Sequence, residues 1–371
     1  MEAEDWYTIN NAEDIDSPAL IIYPDRVKSN IKLLQTFVSD TQQLRPHVKT
    51  NKCPEVIKLM LEAGITKFKC ATIAEGEILA MQGAKDVLLA YQPAGPKAER
   101  FCKLQRHFSG TAFSCLIDNK RSLAKLSALA GKFNLKIRVF IDLNVGMNRT
   151  GITPGKEALQ LYLEANQSNG IEIIGLHAYD GHLHDTDLQV RKQKCDEAFR
   201  DVEHLRTEIK KATGKSPVMV AGGTPTFPIH ARKTDRESSP GTFIFWDKGY
   251  QQILPEQPFQ FAALVMTRII SKPDDQTICV DLGHKSIASE NPITNRVYFL
   301  NAPGLEPFGH SEEHMVFRTE KNRNYQVGDV LYGVPYHICP TVALYDTASI
   351  CTDNTFTESW SIAGRKRKIT I

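Results

Sequence analysis

Three sets of residues in this 371-residue chain have the types and spacing to do chemistry. The first is Lys49, within Arg45-Pro46-His47-Val48-Lys49-Thr50-Asn51-Lys52. Pro46 biases the backbone ahead of it toward an extended form, so Lys49 ends a short β-like run expected to face other structure on both sides. Lysines are rarely buried without a partner. A desolvated lysine disfavours its ammonium form, and the free amine is a nucleophile near neutral pH, which is the chemistry of a Schiff-base lysine. Taken alone, Lys49 is better explained as an ion-paired or rim lysine.

The second set is His177-Ala178-Tyr179-Asp180-Gly181-His182-Leu183-His184. On a strand, His177 and Tyr179 share a face. Nothing at customary metal spacing completes a zinc site here. His182, beside a glycine-containing turn, is the better candidate for a general base, with His184 open to either that role or an ordinary polar loop. The third set is Tyr336-His337-Ile338-Cys339-Pro340. If this stretch is a strand, His337 and Cys339 point to one side and can chelate one ion, with imidazole and thiolate favouring zinc over magnesium or calcium. By itself His-x-Cys is a weak motif, more often explained by a buried structural cysteine.

The elements that must position these residues alternate along the first two thirds of the chain. Apolar runs at 17–23, 67–71, 87–91, 112–117, 137–142, 171–178, 217–221 and 241–245, together with the short run before Lys49, are separated by amphipathic or capped helical segments. Eight apolar strands separated by helices between 17 and 245 are what a (β/α)8 barrel requires, and no GxGxxG follows the first strand to favour a doubly wound sheet. Beyond residue 255 the pattern changes to strand-like runs at 261–270, 276–281, 296–300, 314–317, 329–333 and 341–345, separated by Pro/Gly/Asn-rich turns. The expected organisation is an α/β chain with a (β/α)8 barrel over 17–250 and a mainly antiparallel β domain formed by 1–16 and 251–371. The cleft between two such domains is a natural ligand site.

Barrel active sites lie at the carboxyl ends of the strands. Lys49, the segment 142–151 with Arg149, the histidine-rich loop, Gly222-Gly223-Thr224 and Gly241-Thr242 all fall at such positions. Backbone N–H groups and a threonine hydroxyl in the two Gly-Thr segments suit a phosphate.

Composition narrows the class of function. With 45 Lys+Arg against 43 Asp+Glu, the chain carries no nucleic-acid footprint. No apolar run approaches a membrane span. The acidic start Met1-Glu2-Ala3-Glu4-Asp5 argues against a targeting peptide. Eight scattered cysteines without a CxxC pair fit a reducing compartment, so a cytoplasmic enzyme is expected.

Several of these stretches are familiar together. Arg45–Lys52 resembles the RPHxKTHK segment of the D-threonine aldolase and D-serine dehydratase family, pyridoxal phosphate (PLP) enzymes of the alanine-racemase-like fold. The resemblance extends through 221–226, 239–242, 281–285, Gly309-His310-Ser311-Glu312-Glu313-His314 and 337–340. It implies a homodimer, a PLP Schiff base on Lys49, ring contacts from Arg149 and Tyr179, and a phosphate held by Gly222, Gly223, Thr224, Gly241 and Thr242. It also implies that His337 and Cys339 hold a divalent ion, zinc, manganese or similar, beside a D-amino acid substrate. Two departures bear on the reaction. His-x-Cys looks like the dehydratase pair, where an aldolase branch has His-x-Asp, and Asn51 stands where the family has histidine. The blocks around 222–257 and 281–314 look closer to the aldolases, so D-threonine aldolase activity is expected, with D-serine dehydratase as the alternative. An amino-acid racemase is more distant, for no counterpart of its second catalytic tyrosine is found. A zinc hydrolase would not need Lys49, and a non-catalytic PLP carrier would not need the β domain.

Overall fold

Parallel strands buried on both faces tend to read as continuous apolar runs, and seven parallel strands, most of them such runs, form one sheet. The computed structural model describes residues 6–320 and 324–371, so the acidic start at 1–5 lies outside the described residues. The seven strands Lys67–Cys70, Asp86–Leu89, Ala112–Ile117, Ile137–Leu143, Ile171–Ala178, Val218–Ala221 and Glu237–Ser238 pair in sequence order, all parallel. Residues 44–48 close the ring: Leu44 bridges Ser238 on one side and His47 bridges Lys69 on the other, both in parallel sense. The segment preceding Lys49 is therefore the first stave of the barrel, completing eight.

Alternation decides what fills it. At one level, Arg45, Lys67, Asp86, Arg138 and Glu237 form an ion-pair cluster, with Arg45 bonded to Glu237 at 2.6 Å and to Asp86 at 2.7 Å. Leu88, Leu116, Phe140 and Val220 pack as an apolar group within the same sheet.

The chain divides into two compact units. One comprises Leu33–Lys49, Ile57–Gly241 and Lys366–Ile371 and holds the parallel sheet; the other comprises the described part of Met1–Lys32, Thr50–Val56 and Thr242–Arg365. The second holds a nine-stranded sheet with strand order Glu306–His310, Met315–Arg318, Thr277–Val280, Ala263–Asp274, Ala19–Ile22, Thr347–Thr352, Thr355–Ser361, and with Val297–Phe299 and Val330–Pro335 attached to the side. Its core includes Val265, Ile269, Ile278, Val280, Phe299, Met315 and Phe317.

Three expectations are corrected here. The run at 17–23 is not a barrel strand: Ala19–Ile22 pairs antiparallel with 263–266 and parallel with Ser349 and Ile350. A short, doubly buried apolar run looks the same in a barrel and in the middle of a mixed sheet, so periodicity could not assign it. The run at 241–245 is not a strand either. Thr242–Ile244 is a 3-10 turn, with the Trp246 N–H donating to the Thr242 carbonyl at 2.7 Å. Finally, 341–345 is not a strand, because Ile338–Val342 is a short helix. Pro340 sits in its first turn, where no backbone N–H is needed. Among the described residues, no helix is long and apolar enough to cross a membrane.

Candidate active site

Lys49 follows the first stave and is half-buried. Its backbone N–H donates to His47 Nδ1 at 3.2 Å. Around it, side chains from the carboxyl ends of the neighbouring staves converge. Lys69, next to His47 in register, is buried, and its Nζ lies 5.7 Å from the centre of the Tyr179 ring. The Arg149 guanidinium lies 5.0 Å from that same ring. His177 Nδ1 is bonded to Asp142 at 2.7 Å, and Gln92 Nε2 donates to the other Asp142 oxygen at 2.8 Å. Burial lowers the His177 pKa from its ordinary value and outweighs Asp142, which works to raise it. For Asp142, burial acts to raise the pKa, yet the hydrogen bond and charge of His177 hold it below the usual carboxylate value. His177 Nε2 is buried without a partner among the described residues, as is Ser239 Oγ.

The glycine-rich turn after Val218–Ala221 is shaped by what presses on it. Gly222 has φ +76°, and a Cβ there would lie 2.5 Å from His230. A Cβ on Gly223 would lie 2.8 Å from Tyr179 Cε2. The Gly241 N–H donates to Thr224 Oγ1 at 3.1 Å, joining the two Gly-Thr segments. Beneath the turn, buried Asp180 accepts from Thr226 Oγ1 at 2.7 Å and is bonded to His230 Nε2 at 2.8 Å. Cys195 Sγ lies 3.5 Å from that same nitrogen.

Asp180, Cys195 and His230 form the group of three His/Cys/Asp/Glu donors, among the described residues, compact enough to hold a metal ion. Ligand atoms about 2.0–2.1 Å from one tetrahedral ion sit roughly 3.3 Å apart, farther than the 2.8 Å between Asp180 and His230. Burial also pushes the Cys195 thiol pKa upward. The trio is better described as a hydrogen-bonded brace under the glycine turn.

His182 is placed by Gly146, whose φ is +112° and whose Cβ, if present, would lie 2.8 Å from His182 Nε2. His182 Nδ1 is buried without a partner among the described residues. His184 is exposed. The turn at 181–182 ends the extended backbone, so His182 and His184 do not continue the face of His177 and Tyr179.

In the other unit, His337 caps the helix Ile338–Val342 rather than lying on a strand, and Cys339 is in its first turn. The two side chains still meet. Burial works against a charge on His337, but the hydrogen bond and charge of Cys339, and then Glu290, raise its pKa to about 9. Glu290 Oε1 holds His337 Nδ1 at 2.5 Å, a carboxylate–histidine pairing typical of metal ligands. Asp247 accepts from the Ile338 N–H at 3.2 Å and fixes the start of the helix. Thr50 Oγ1 lies 3.1 Å and Thr242 Oγ1 3.6 Å from Cys339 Sγ.

Residues that sequence reasoning passed over are Lys69, Asp142, Asp180, Cys195, His230 and Glu290. Lys69 alone had a readable signal: in Lys67-Phe68-Lys69-Cys70, polar residues alternate in a strand that barrel packing should bury on both faces.

The cradle fits PLP. Gly222 and Gly223 leave no room for added side chains, and His177 Nε2 and Ser239 Oγ lie buried without partners among the described residues. The chain matches the family model described as alanine racemase, N-terminal domain, over residues 22–248, and that of a putative serine dehydratase domain over 262–351. It is 25% identical to a D-threonine aldolase of Arthrobacter sp. over 95% of this chain and 93% of that one. A D-serine dehydratase of Dictyostelium discoideum is 23% identical over 95% and 97% of the two chains. The solved D-threonine aldolase of Filomicrobium marinum superposes with a TM-score of 0.87 at 25% identity, covering 98% of this chain and 99% of that one. The chain belongs to the alanine-racemase-like family of D-threonine aldolases and D-serine dehydratases.

Proposed function

We propose that this chain is a PLP- and divalent-metal-dependent lyase of the D-threonine aldolase type, cleaving D-3-hydroxy amino acids to glycine and an aldehyde. The observation that supports the reading is the barrel register in one unit: the stave that leads to Lys49 runs beside 238–241, with the His47 N–H donating to the Pro240 carbonyl at 2.9 Å. Lys49 is the nucleophile that would hold the cofactor. Gly222, Gly223, Thr224 and Gly241 would surround its phosphate, while Thr242, next in the chain, is assigned by resemblance. Tyr179, with Arg149 over its ring, would bound the cofactor ring. When bound, PLP supplies an electron sink for the pair left on the substrate Cα. His182, set against Gly146, would take the β-hydroxyl proton as general base.

His337 and Cys339 fit a zinc- or manganese-like ion, which when bound offers Lewis acidity to a hydroxyl. We further propose a homodimer acting on a small D-amino acid in a reducing, cytoplasmic setting, in keeping with eight cysteines none of which is in a disulfide.

D-serine dehydratase is the second reading, favoured by the His-x-Cys pair and by the dehydratase-type match over 262–351. One experiment separates them. The purified protein is offered D-threonine and D-serine with PLP and a panel of divalent ions. Glycine plus acetaldehyde is expected from D-threonine. Pyruvate from D-serine without glycine formation from D-threonine would overturn the aldolase reading.

A further inference from the structure

Lys69 has no role in the site as described. It lies inside the barrel, 2% exposed, on the face of its strand that Lys67 shares. The groups around it are Lys49 and Arg45 from the first stave, Asp142 and Asp180 from the fifth and sixth, His177, and the Tyr179 ring. Neither carboxylate is available to it. Asp142 is taken by His177 and Gln92, and Asp180 by His230 and Thr226. Among the described residues, Lys69 Nζ has no ion pair within 4 Å and no hydrogen bond.

Burying an ammonium without a partner is expensive, and a group in that position neutralises instead. Burial, then the nearby Lys49 charge, lower the Lys69 pKa to about 7. An amine of this kind is a stored cation: it regains its proton when an anion arrives to pair with it. We propose that Lys69 is the oxyanion-recognising residue of the Lys49 pocket, taking up a proton as it pairs with an oxygen of the bound cofactor or with the substrate carboxylate. The step balances simply: the neutral amine gains one proton from solvent, and its ammonium donates hydrogen bonds to the arriving oxyanion. The inference rests on the pocket being a PLP site.

The test uses pyridoxine 5′-phosphate, which has an alcohol in place of the aldehyde and so cannot react with Lys49, and pyridoxine, which lacks the phosphate. Titration calorimetry of the full chain freed of cofactor, at pH 8 in two amine-free buffers of different ionisation enthalpy, counts protons taken up. Expected for the wild type is net uptake on binding pyridoxine 5′-phosphate. In Lys69→Met, with a melting temperature near that of the wild type, uptake disappears and affinity falls about tenfold, the loss of one charge-assisted hydrogen bond. Equal uptake with pyridoxine assigns the ring oxygen; uptake confined to the phosphorylated probe assigns the phosphate. If uptake instead appears only when D-threonine titrates the PLP-loaded protein, and is lost in Lys69→Met, the oxyanion is the substrate carboxylate. No proton uptake by the wild type in any titration, or uptake unchanged in Lys69→Met, overturns the proposal. A wild type that shows no PLP absorbance at all overturns the cofactor reading itself, a separate result.

Discussion

Lys67 and Lys69 stand two residues apart on the same face of the same strand, yet the barrel treats them differently. Lys67 reaches Glu237 at 2.6 Å and joins the cluster in which Arg45 is clamped by Glu237 and Asp86. Lys69 faces carboxylates already committed to His177 and His230. At the first level every charge has a partner, and the level ties the first stave to the third and the last. At the second, nearer the carboxyl ends of the strands, an imidazole nitrogen and a serine hydroxyl are left without one among the described residues, and the Lys69 amine meets the Tyr179 ring but no carboxylate. Buried polar groups are normally satisfied. Where they are not, a ligand is the economical explanation, so the barrel separates a stabilising level from a binding one.

That contrast can be broken in order of effect. Lys49→Ala should abolish the bound-cofactor absorbance that borohydride fixes, an all-or-none loss. A fixed band surviving in the variant would show that another amine, Lys69 first, holds the cofactor. Arg45→Met should cost about 1–3 kcal/mol of stability, because Glu237 and Asp86 lose their buried partner and keep only Lys67 and Arg138. The measurement is the denaturant midpoint, and a cost below about 1 kcal/mol, the range of exposed pairs, would erase the distinction between the levels.

The smallest effect is in pH. His177 has a folded pKa below its ordinary value, so the unfolded chain binds the proton first and stability drains away as pH falls below about 6.5. Asp142, also held low, adds to the loss further into acid. His177→Gln should be less stable at pH 7, having lost its bond to Asp142, but should lose less between pH 7 and pH 5. An unchanged pH 7 to pH 5 difference in melting temperature would mean that His177 titrates freely.

How much of this was legible beforehand varies with the range of the interaction. Lys49, Gly222, Gly223, Thr224 and Gly241 could be singled out, because each has a local signature: a proline-preceded lysine, or small residues at a strand end. Arg149, Tyr179, His337 and Cys339 came from the family resemblance or from a weak local pair. For His337 and Cys339 the sequence suggested a strand, and the structure uses a helix start. The pair meets anyway, since a capping residue and one in the first turn can turn toward each other. Ala19–Ile22 shows the opposite case. Its apolar run was seen, but its sheet was not, because four buried residues say nothing about which partners bury them.

The sequence by itself determined the alternation of strands and helices, the change to an all-β pattern near residue 255, and the residues that carry the family motif. Those depend on neighbours along the chain. Only the tertiary structure decided that residues 44–48 close the barrel, that Asp180, Cys195 and His230 brace the glycine turn, and that Asp142 and Asp180 are spent before they reach Lys69. Each depends on which side chains from distant staves share one level, and barrel closure alone sets that. Lys69 is the clearest instance: its alternation with Phe68 was written in the chain, but its lack of an anionic partner exists only inside the closed barrel.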